Sequence, residues 1–335
     1  MSSDEGLVDE AARETFPASD APSWTPTHAG LPKHARRRGE SPVDVQRRLR
    51  ADIESIAHAA ERVRDSRSVD GRAARGLAAD FIANAFLDAG RAATRIPLPV
   101  DSTVETVEAV MHGASTNVDQ GQVVIGARYD AMIPSSTSPA TTDVRDMGAL
   151  VTLLALARHL ESTSFMRTVR LVAFADAASD AVLFGRADAL HASRVYAKRL
   201  REHDVLLRGM LSLDGLSFSN PDGPLVTIYG NGSSRSLVEQ TRRGFKRGSS
   251  LPLRAFVLPG LFPLVSTVDQ RSFWREGIAA VRLSDAWALS YASRLSRIGE
   301  PRAPLATAFD FDAMTMFVLG LAQAVTTVAG GEPPH

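Results

Sequence analysis

Strand-like and helix-like patterns alternate along most of this 335-residue chain, and no other feature of the sequence constrains its fold as much. The segment VRLVAF at 169–174 is almost continuously apolar, which is typical of a strand covered by helices on both faces. Helical periodicity occupies about 147–161, 187–201, 234–247 and 310–328. This alternation predicts a three-layer α/β/α fold with a mostly parallel or mixed central sheet.

The predicted strands and the first two helices can be read directly from the sequence. The strands are VEAVMHG, GQVVIGARYDA, TVRLVAFADA, RGMLSLDGLSF, PLVTIYG, LRAFVL and IAAVRLS. The helix SPVDVQRRLRADIESIAHAAERVR begins with Ser41 as N-cap and Pro42 at the first helical position. A second helix, GRAARGLAADFIANAFLDAG, stops at Gly90.

The first forty residues differ in composition from the rest of the chain. They are rich in Pro, Ser, Thr and charged residues, and such a segment buries too little apolar surface to offset the entropy of ordering it. We expect a disordered arm over residues 1–40, one α/β domain over 41–330 and a short tail over 331–335.

Charge balance and the absence of cysteine bear on the function. The 38 Lys and Arg residues equal the 38 Asp and Glu residues, so the net charge favours neither nucleic acid nor an anionic membrane as partner. A chain without cysteine has no disulfide, thiolate zinc site or cysteine nucleophile. The N-terminus lacks a signal-peptide pattern, and no apolar run approaches the roughly 20 residues that span a bilayer. We therefore expect a cytoplasmic protein with no nucleic-acid and no membrane partner.

Motifs at the predicted strand ends resemble those of the M28 family of zinc peptidases, which includes aminopeptidase and carboxypeptidase relatives. GQVVIGARYDA resembles the family strand that ends in a His-Tyr-Asp-like tripeptide, and TTDVRDMGALVTLLALARHL resembles its Asp-Asn-x-Ser-Gly turn and helix. RTVRLVAFADAASDAVLFG is similar to the strand ending in Glu-Glu, and STVDQRSFWREGIAAVRLSDA to the Ser-Asp-His-x-Ser-Phe-Trp segment. The resemblance runs from about residue 50 to 328 and implies a zinc-exopeptidase-like (phosphorylase/hydrolase-like) fold.

The family's reaction needs two zinc ions that hold the attacking water and the scissile carbonyl, with a glutamate as general base. The resemblance implies a ligand set of His, a bridging Asp, Glu, an Asp or Glu, and a second His. Most of these positions hold other residues in this chain. The first His position is Arg128, the general-base position is Ala177, the adjacent ligand position is Ala178, and the last His position is Ala292.

Acidic residues remain at one or two of the ligand positions. Asp214, in LSLDG, keeps the acid of the fourth position, and the bridging Asp falls at Asp143 or Val144 because the turn TTDVRDMG aligns in two registers. A replacement site made of carboxylates such as Asp143, Asp146, Asp176 and Asp214 would suit Mg²⁺ or Ca²⁺ better than zinc, although turn and cap acids explain these residues more simply. We expect no bound zinc, no other cofactor and no catalytic residue here.

Arg128 places a permanent positive charge where the family has a metal ligand, because a guanidinium stays protonated and cannot bind zinc. A buried Asp214 without a cation would cost free energy. We therefore predict that Arg128 pairs with Asp214 and replaces the charge of the metal. The alternative is that both side chains face solvent.

The sequence thus predicts a catalytically degenerate M28-like protein, a pseudoenzyme rather than a peptidase. Its ligand would be a peptide, an anionic small molecule or a partner protein, bound in or near the former active-site cleft, because guanidinium groups form paired hydrogen bonds with carboxylates. The residues expected to contact it are Arg128, Asp143, Arg145, Asp214 and Arg271. Two alternatives remain. One is an active metal-dependent hydrolase or aminopeptidase with a non-standard site, and the other is a structural or regulatory subunit in which the cleft is vestigial and the arm over residues 1–40 makes the contacts.

Overall fold

The computed structural model describes nine stretches of the chain, all within one unit, Arg38–His335. These stretches are residues 40–65, 71–99, 101–115, 120–129, 144–175, 191–219, 223–259, 268–285 and 308–331. The predicted arm, except Glu40, and the predicted tail, except Gly331, lie outside the described residues, so both stay predictions.

Within these stretches the chain forms eight strands and seven α-helices. The strands are β1 Ala93–Leu98, β2 Asp101–Met111, β3 Gln122–Arg128, β4 Val169–Phe174, β5 Leu207–Leu213, β6 Val226–Gly230, β7 Leu253–Val257 and β8 Ala280–Ser284. The helices are α1 Pro42–Asp65, α2 Gly71–Asp88, α3 Val144–His159, α4 Ala192–Glu202, α5 Arg235–Gly248, α6 Val268–Arg275 and α7 Phe311–Ala329. A 3₁₀ turn at Gly232–Ser234 leads into α5.

The strands form one mixed sheet in the order β1-β2-β4-β3-β5-β8-β6-β7. The four central strands, β4, β3, β5 and β8, are mutually parallel, and β6 pairs antiparallel with β8. The carboxyl ends of the central strands therefore meet along one side of the sheet, which we call the strand-end edge; it comprises Arg128, Phe174, Leu213, Ser284 and the residues that follow each of them. Open α/β sheets bind ligands at this edge. The predicted α/β fold with a mostly parallel sheet is confirmed.

Helices cover both faces of the sheet. The chain passes from β3 to β4 through α3 in one direction and from β4 to β5 through α4 in the other, so right-handed crossovers place α3 and α4 on opposite faces. Helix α6 packs with α4, whereas α1, α5 and α7 pack in the layer of α3. The buried aliphatic and aromatic side chains between these layers form one continuous core.

Helix α7 is a long, apolar helix of the core. Asp310 caps its start by accepting a hydrogen bond from the Ala313 amide at 3.0 Å, and Gly330, with φ 66°, ends it. By length and composition this helix could cross a membrane, so the expectation that no apolar run approaches that length is wrong. However, 72% of its most apolar window is buried inside the protein, as in a helix that packs on several sides.

The predicted residues at the start of α1 and at the end of α2 are confirmed, but the edge strand β1 was not predicted. Ser41 Oγ accepts from the Asp44 amide at 3.2 Å as the N-cap of α1, and Gly90 adopts φ 72° just after α2. Strand β1 was not predicted because its sequence, ATRIPL, contains Pro97 and lacks a buried run. Since β1 pairs only with β2, at the edge of the sheet, the missing amide of proline is tolerated there.

The close approach of α3 to the segment after β5 gives a testable prediction. A Cβ added at Gly148 would lie 1.7 Å from the Leu216 carbonyl oxygen, so Gly148→Ala should lower the free energy of unfolding by about 2–3 kcal/mol. The matched control is Gly76→Ala in α2, where a Cβ meets nothing within 4 Å; it should raise the free energy of unfolding by about 0.5–1 kcal/mol. Urea denaturation of both variants checks this, and equal effects would contradict the packing argument.

Candidate functional site

An ion pair between the ends of β5 and β8 lies at the centre of the strand-end edge. Asp214 directly follows β5, and Arg282 lies on β8 as the register partner of Ser212. Residues two apart on a strand point to the same face, so the Arg282 guanidinium reaches along the strands and its Nη2 binds Asp214 Oδ2. The side chains are 5% and 20% exposed, respectively, which shields the pair from most solvent.

The guanidinium that faces Asp214 is therefore that of Arg282 rather than the predicted Arg128. Arg128 ends β3, next to β5, and is half-buried, whereas Arg282 is almost completely buried. A buried guanidinium without an anion costs more free energy than a partly hydrated one, so the carboxylate is matched to the more buried arginine. Arg282 was missed because an arginine within IAAVRLS reads as an outward-facing strand residue, and only the β5–β8 register places it beside Asp214.

Arg282 and its register partner, Ser212, each have a polar atom that can still form a hydrogen bond. Arg282 Nη2 also lies 3.5 Å from Ser284 Oγ, a contact at the limit of a hydrogen bond. Arg282 Nε and Ser212 Oγ are both buried and have no hydrogen-bond partner among the described residues. Buried polar atoms are normally satisfied, so a donor and a hydroxyl left over here are suited to a polar ligand atom or an ordered water.

Asp285, the residue after β8, fixes the chain segment that carries Asp214. Its Oδ2 accepts hydrogen bonds from the Ser217 amide at 2.7 Å, the Phe218 amide at 2.6 Å and Ser217 Oγ at 3.2 Å. Phe218 has φ 57°, a left-handed conformation that is uncommon for a bulky residue and needs support from its surroundings. Sequence reasoning missed Asp285 because an acid after a strand resembles an ordinary turn residue.

The structure brings only part of the predicted site together. Arg128 and Asp214 lie at the ends of neighbouring strands, and Arg271 is exposed on α6. Beside Arg128, the buried Tyr129 donates its hydroxyl to the Glu105 carbonyl. The remaining predicted positions lie outside the described residues or, for Arg145, have an undescribed side chain, so they stay predictions: Asp143, Arg145, Ala177, Ala178 and Ala292.

Of the positions that the resemblance assigns to the zinc site, only Arg128 and Asp214 have described side chains. Within the described stretches, no group of three or more His, Asp or Glu side chains is placed to hold a metal ion. Arg128, which the sequence predicts at the first ligand position, has no lone pair to offer, and Asp214 Oδ2 is bound by Arg282. What these residues do offer is fixed positive charge and hydrogen-bond donors.

A second polar cluster lies beneath α4, on the face of the sheet that also carries the Arg282 side chain, near the amino ends of β3 and β4. Glu108 Oε1 accepts from Arg170 Nη1 at 2.6 Å and from the Tyr196 hydroxyl at 2.5 Å, and Arg170 Nε donates to Gln122 Oε1 at 2.6 Å. Burial, together with the Glu108 charge, raises the pKa of Tyr196 well above its usual value, so Tyr196 stays a neutral donor. The cluster anchors α4 and lies away from the strand-end edge.

Comparison with known proteins supports the fold. No protein-family model matches the chain, and no curated protein matches it in sequence. Among solved structures, LapB from Legionella pneumophila is similar with a TM-score of 0.62 and 16% identity, over 86% of this chain and 72% of that one. The LapA aminopeptidase from Legionella pneumophila gives 0.57 and 13%, over 87% and 76%.

A glutaminyl cyclase from Tannerella forsythia is also similar, with a TM-score of 0.54 and 12% identity, over 86% of this chain and 99% of that one. At these identities the similarity shows the fold alone. The expected aminopeptidase-like α/β architecture is thus confirmed.

The coupling between Asp214 and Arg282 can be measured with a double-mutant cycle. Arg282→Met leaves a mostly buried carboxylate without its cation and should lower the free energy of unfolding by about 3 kcal/mol. Asp214→Asn in the Arg282→Met background should recover part of that loss, with a coupling energy of about 1–2 kcal/mol. Urea unfolding of the wild type, both single variants and the double variant checks this. Additive effects would mean that the two side chains do not interact.

Proposed function

We propose that this protein is a ligand-binding protein on an aminopeptidase-like scaffold, in which an arginine replaces the positive charge of the metal and peptidase activity is absent. The observation that carries the proposal is the ion pair between Arg282 and Asp214, the acid at a ligand position of the resembled family. A zinc ion bound at Asp214 Oδ2 would compete with the guanidinium, and its displacement would leave Arg282 buried without its anion. That exchange is unfavourable, since an unpaired buried charge is strongly destabilising.

The sequence supports the same proposal at the other positions of the site. Arg128 stands at the first histidine position and Ala177 at that of the general base. Metal, base and substrate contacts act as one unit in a hydrolase, so the loss of several of them removes almost all activity.

For the ligand we propose a carboxylate-bearing peptide or small anion bound at the strand-end edge. Arg128 lies at the end of β3, and a guanidinium group orients a carboxylate through paired hydrogen bonds. Arg271, exposed on α6, is the second arginine that we propose for this site. The buried Arg282 Nε and Ser212 Oγ, which lack a partner among the described residues, add polar contacts deeper in the site. A cytoplasmic location without nucleic-acid or membrane partners is part of the proposal.

Metal content and turnover test the absence of peptidase activity. The full-length chain, incubated with zinc and then dialysed, should retain far less than one zinc ion per chain. It should also hydrolyse aminoacyl-p-nitroanilides no faster than its Asp214→Asn variant. Stoichiometric zinc together with turnover that disappears in Asp214→Asn would overturn the proposal and favour the metal-dependent hydrolase.

Thermal unfolding in the presence of small anions tests the ligand class. An acidic dipeptide or citrate should raise the melting temperature, whereas the same dipeptide with every carboxyl group replaced by an amide should not. At 100 times Kd the ligand adds about 2.7 kcal/mol to stability. Arg128→Ala should remove most of this shift, and Arg199→Ala, an exposed arginine on α4, should preserve it. Equal shifts with the acid and the amide, or no shift with any of these anions, would contradict a carboxylate-binding site.

A further inference from the structure

Helix α5 and the adjoining strand β7 carry a strongly basic surface, although the whole chain has zero net charge. Residues 223–259 contain six basic side chains and a single acidic one, Glu239. The five cations on α5 define what we call the α5 basic face: Arg235, Arg242, Arg243, Lys246 and Arg247. The sixth, Arg254, lies on β7.

Packing turns these cations outward. The opposite side of α5 is buried, with Leu237, Val238 and Phe245 in the core. Gly244 and Gly248 let α5 approach α7 so closely that added Cβ atoms would lie 2.6 Å from Ala324 Cα and 2.5 Å from the Leu319 carbonyl oxygen. The apolar side of the helix is therefore held against α7, and the basic side faces solvent.

Most of the positive charge on this face is not neutralised within the described protein. Glu239 binds Arg242 at 2.8 Å and Arg243 at 3.1 Å. Arg235, Lys246 and Arg247 are exposed and form no ion pair with any described residue. Like charges four residues apart, as in Arg243 and Arg247, destabilise a helix, and only the last turn gains from the helix dipole. A bound anionic partner would offset this repulsion.

The surroundings of α5 disfavour a membrane. Exposed large apolar side chains among the described residues are Val43, Leu77, Leu87, Met166 and Leu206, and none of them is on α5. A helix that lies in a membrane interface needs such side chains to insert beside its cations.

Single-stranded nucleic acid is disfavoured for a different reason. Its binding relies on exposed aromatic rings on which bases stack. Near α5, Tyr229 and Phe245 are buried, and Phe256 stacks on Tyr229 with ring centroids 5.3 Å apart. The α5 basic face therefore offers a row of cations without exposed rings or apolar side chains, and such a row suits carboxylates.

The dimensions of the α5 basic face fit an extended peptide. Its 14 residues span about 21 Å, the length of roughly six residues of an extended chain. The C-terminal end of α5, with Lys246 and Arg247, lies toward the strand-end edge. This follows because β7 starts beside Val226, and the next residue of β6, Thr227, pairs with Ser284 at the end of β8.

We propose that the α5 basic face docks an acidic, extended segment of a partner protein, with its Asp and Glu side chains spaced along the helix. This surface is separate from the site at Arg282 and does not depend on the function proposed there.

Fluorescence anisotropy with a labelled poly-glutamate peptide and the full-length chain at low salt tests this docking surface. The variant Arg243→Glu/Lys246→Glu/Arg247→Glu should bind the peptide about tenfold more weakly or worse. The matched control, Lys198→Glu/Arg199→Glu/Arg208→Glu, changes the net charge by the same amount on exposed positions of α4 and β5 and should bind within about twofold of the wild type.

Several results would overturn the proposal. One is an equal loss of affinity in both triple variants, which would indicate attraction by net charge alone. Another is the absence of peptide binding by the wild type, and a third is tighter binding of single-stranded RNA or of phosphatidylserine vesicles than of the peptide. Circular dichroism verifies that each variant folds. If the charge-reversal variant of α5 does not fold, Arg243→Gln/Lys246→Gln/Arg247→Gln takes its place and should also bind the peptide more weakly than the wild type.

Discussion

A buried guanidinium must have an anion beside it, and much of the strand-end edge follows from that requirement. Arg282 lies on β8, one of the four parallel central strands, where water reaches only 5% of its side chain. Asp214 supplies the anion, so the segment after β5 has to be held in one position. Asp285 holds it through the Ser217 and Phe218 amides, and α3 approaches the same segment so closely that Gly148 leaves no room for a Cβ.

An arginine in such a place changes what the site can do chemically. A pair of zinc ions polarises a carbonyl and lowers the pKa of bound water, so that hydroxide forms near neutral pH. A guanidinium carries a single delocalised charge and several hydrogen-bond donors in a fixed plane, which orient an anion but generate no nucleophile. In the function proposed above, the exchange of a metal for Arg282 keeps the attraction for anionic ligands, whereas the hydrolytic step is lost.

The sequence predicted the fold well and the site only in part, for identifiable physical reasons. Buried strands such as VRLVAF and capped helices such as α1 have local signals, whereas β1 is an exposed edge strand whose stability comes from β2. The partner of Asp214 depends on the register between β5 and β8, which no local pattern encodes. The role of Asp285 depends on the left-handed backbone conformation of Phe218, which the sequence does not indicate at a bulky residue. The identities of Ala177, Ala178 and Ala292 are plain in the sequence, and their placement stays a prediction.

The net charge of the whole chain is a poor guide to the charge of any one part of the surface. It sums charges that lie too far apart to act together, because ions in solution screen them from one another. At physiological ionic strength exposed charges act over about 8 Å, so a partner near α5 responds to the cations of that helix and not to carboxylates elsewhere. The segment 223–259 has six cations and one acid, and the compensating acids lie in other parts of the chain. A neutral chain can thus carry a basic docking face.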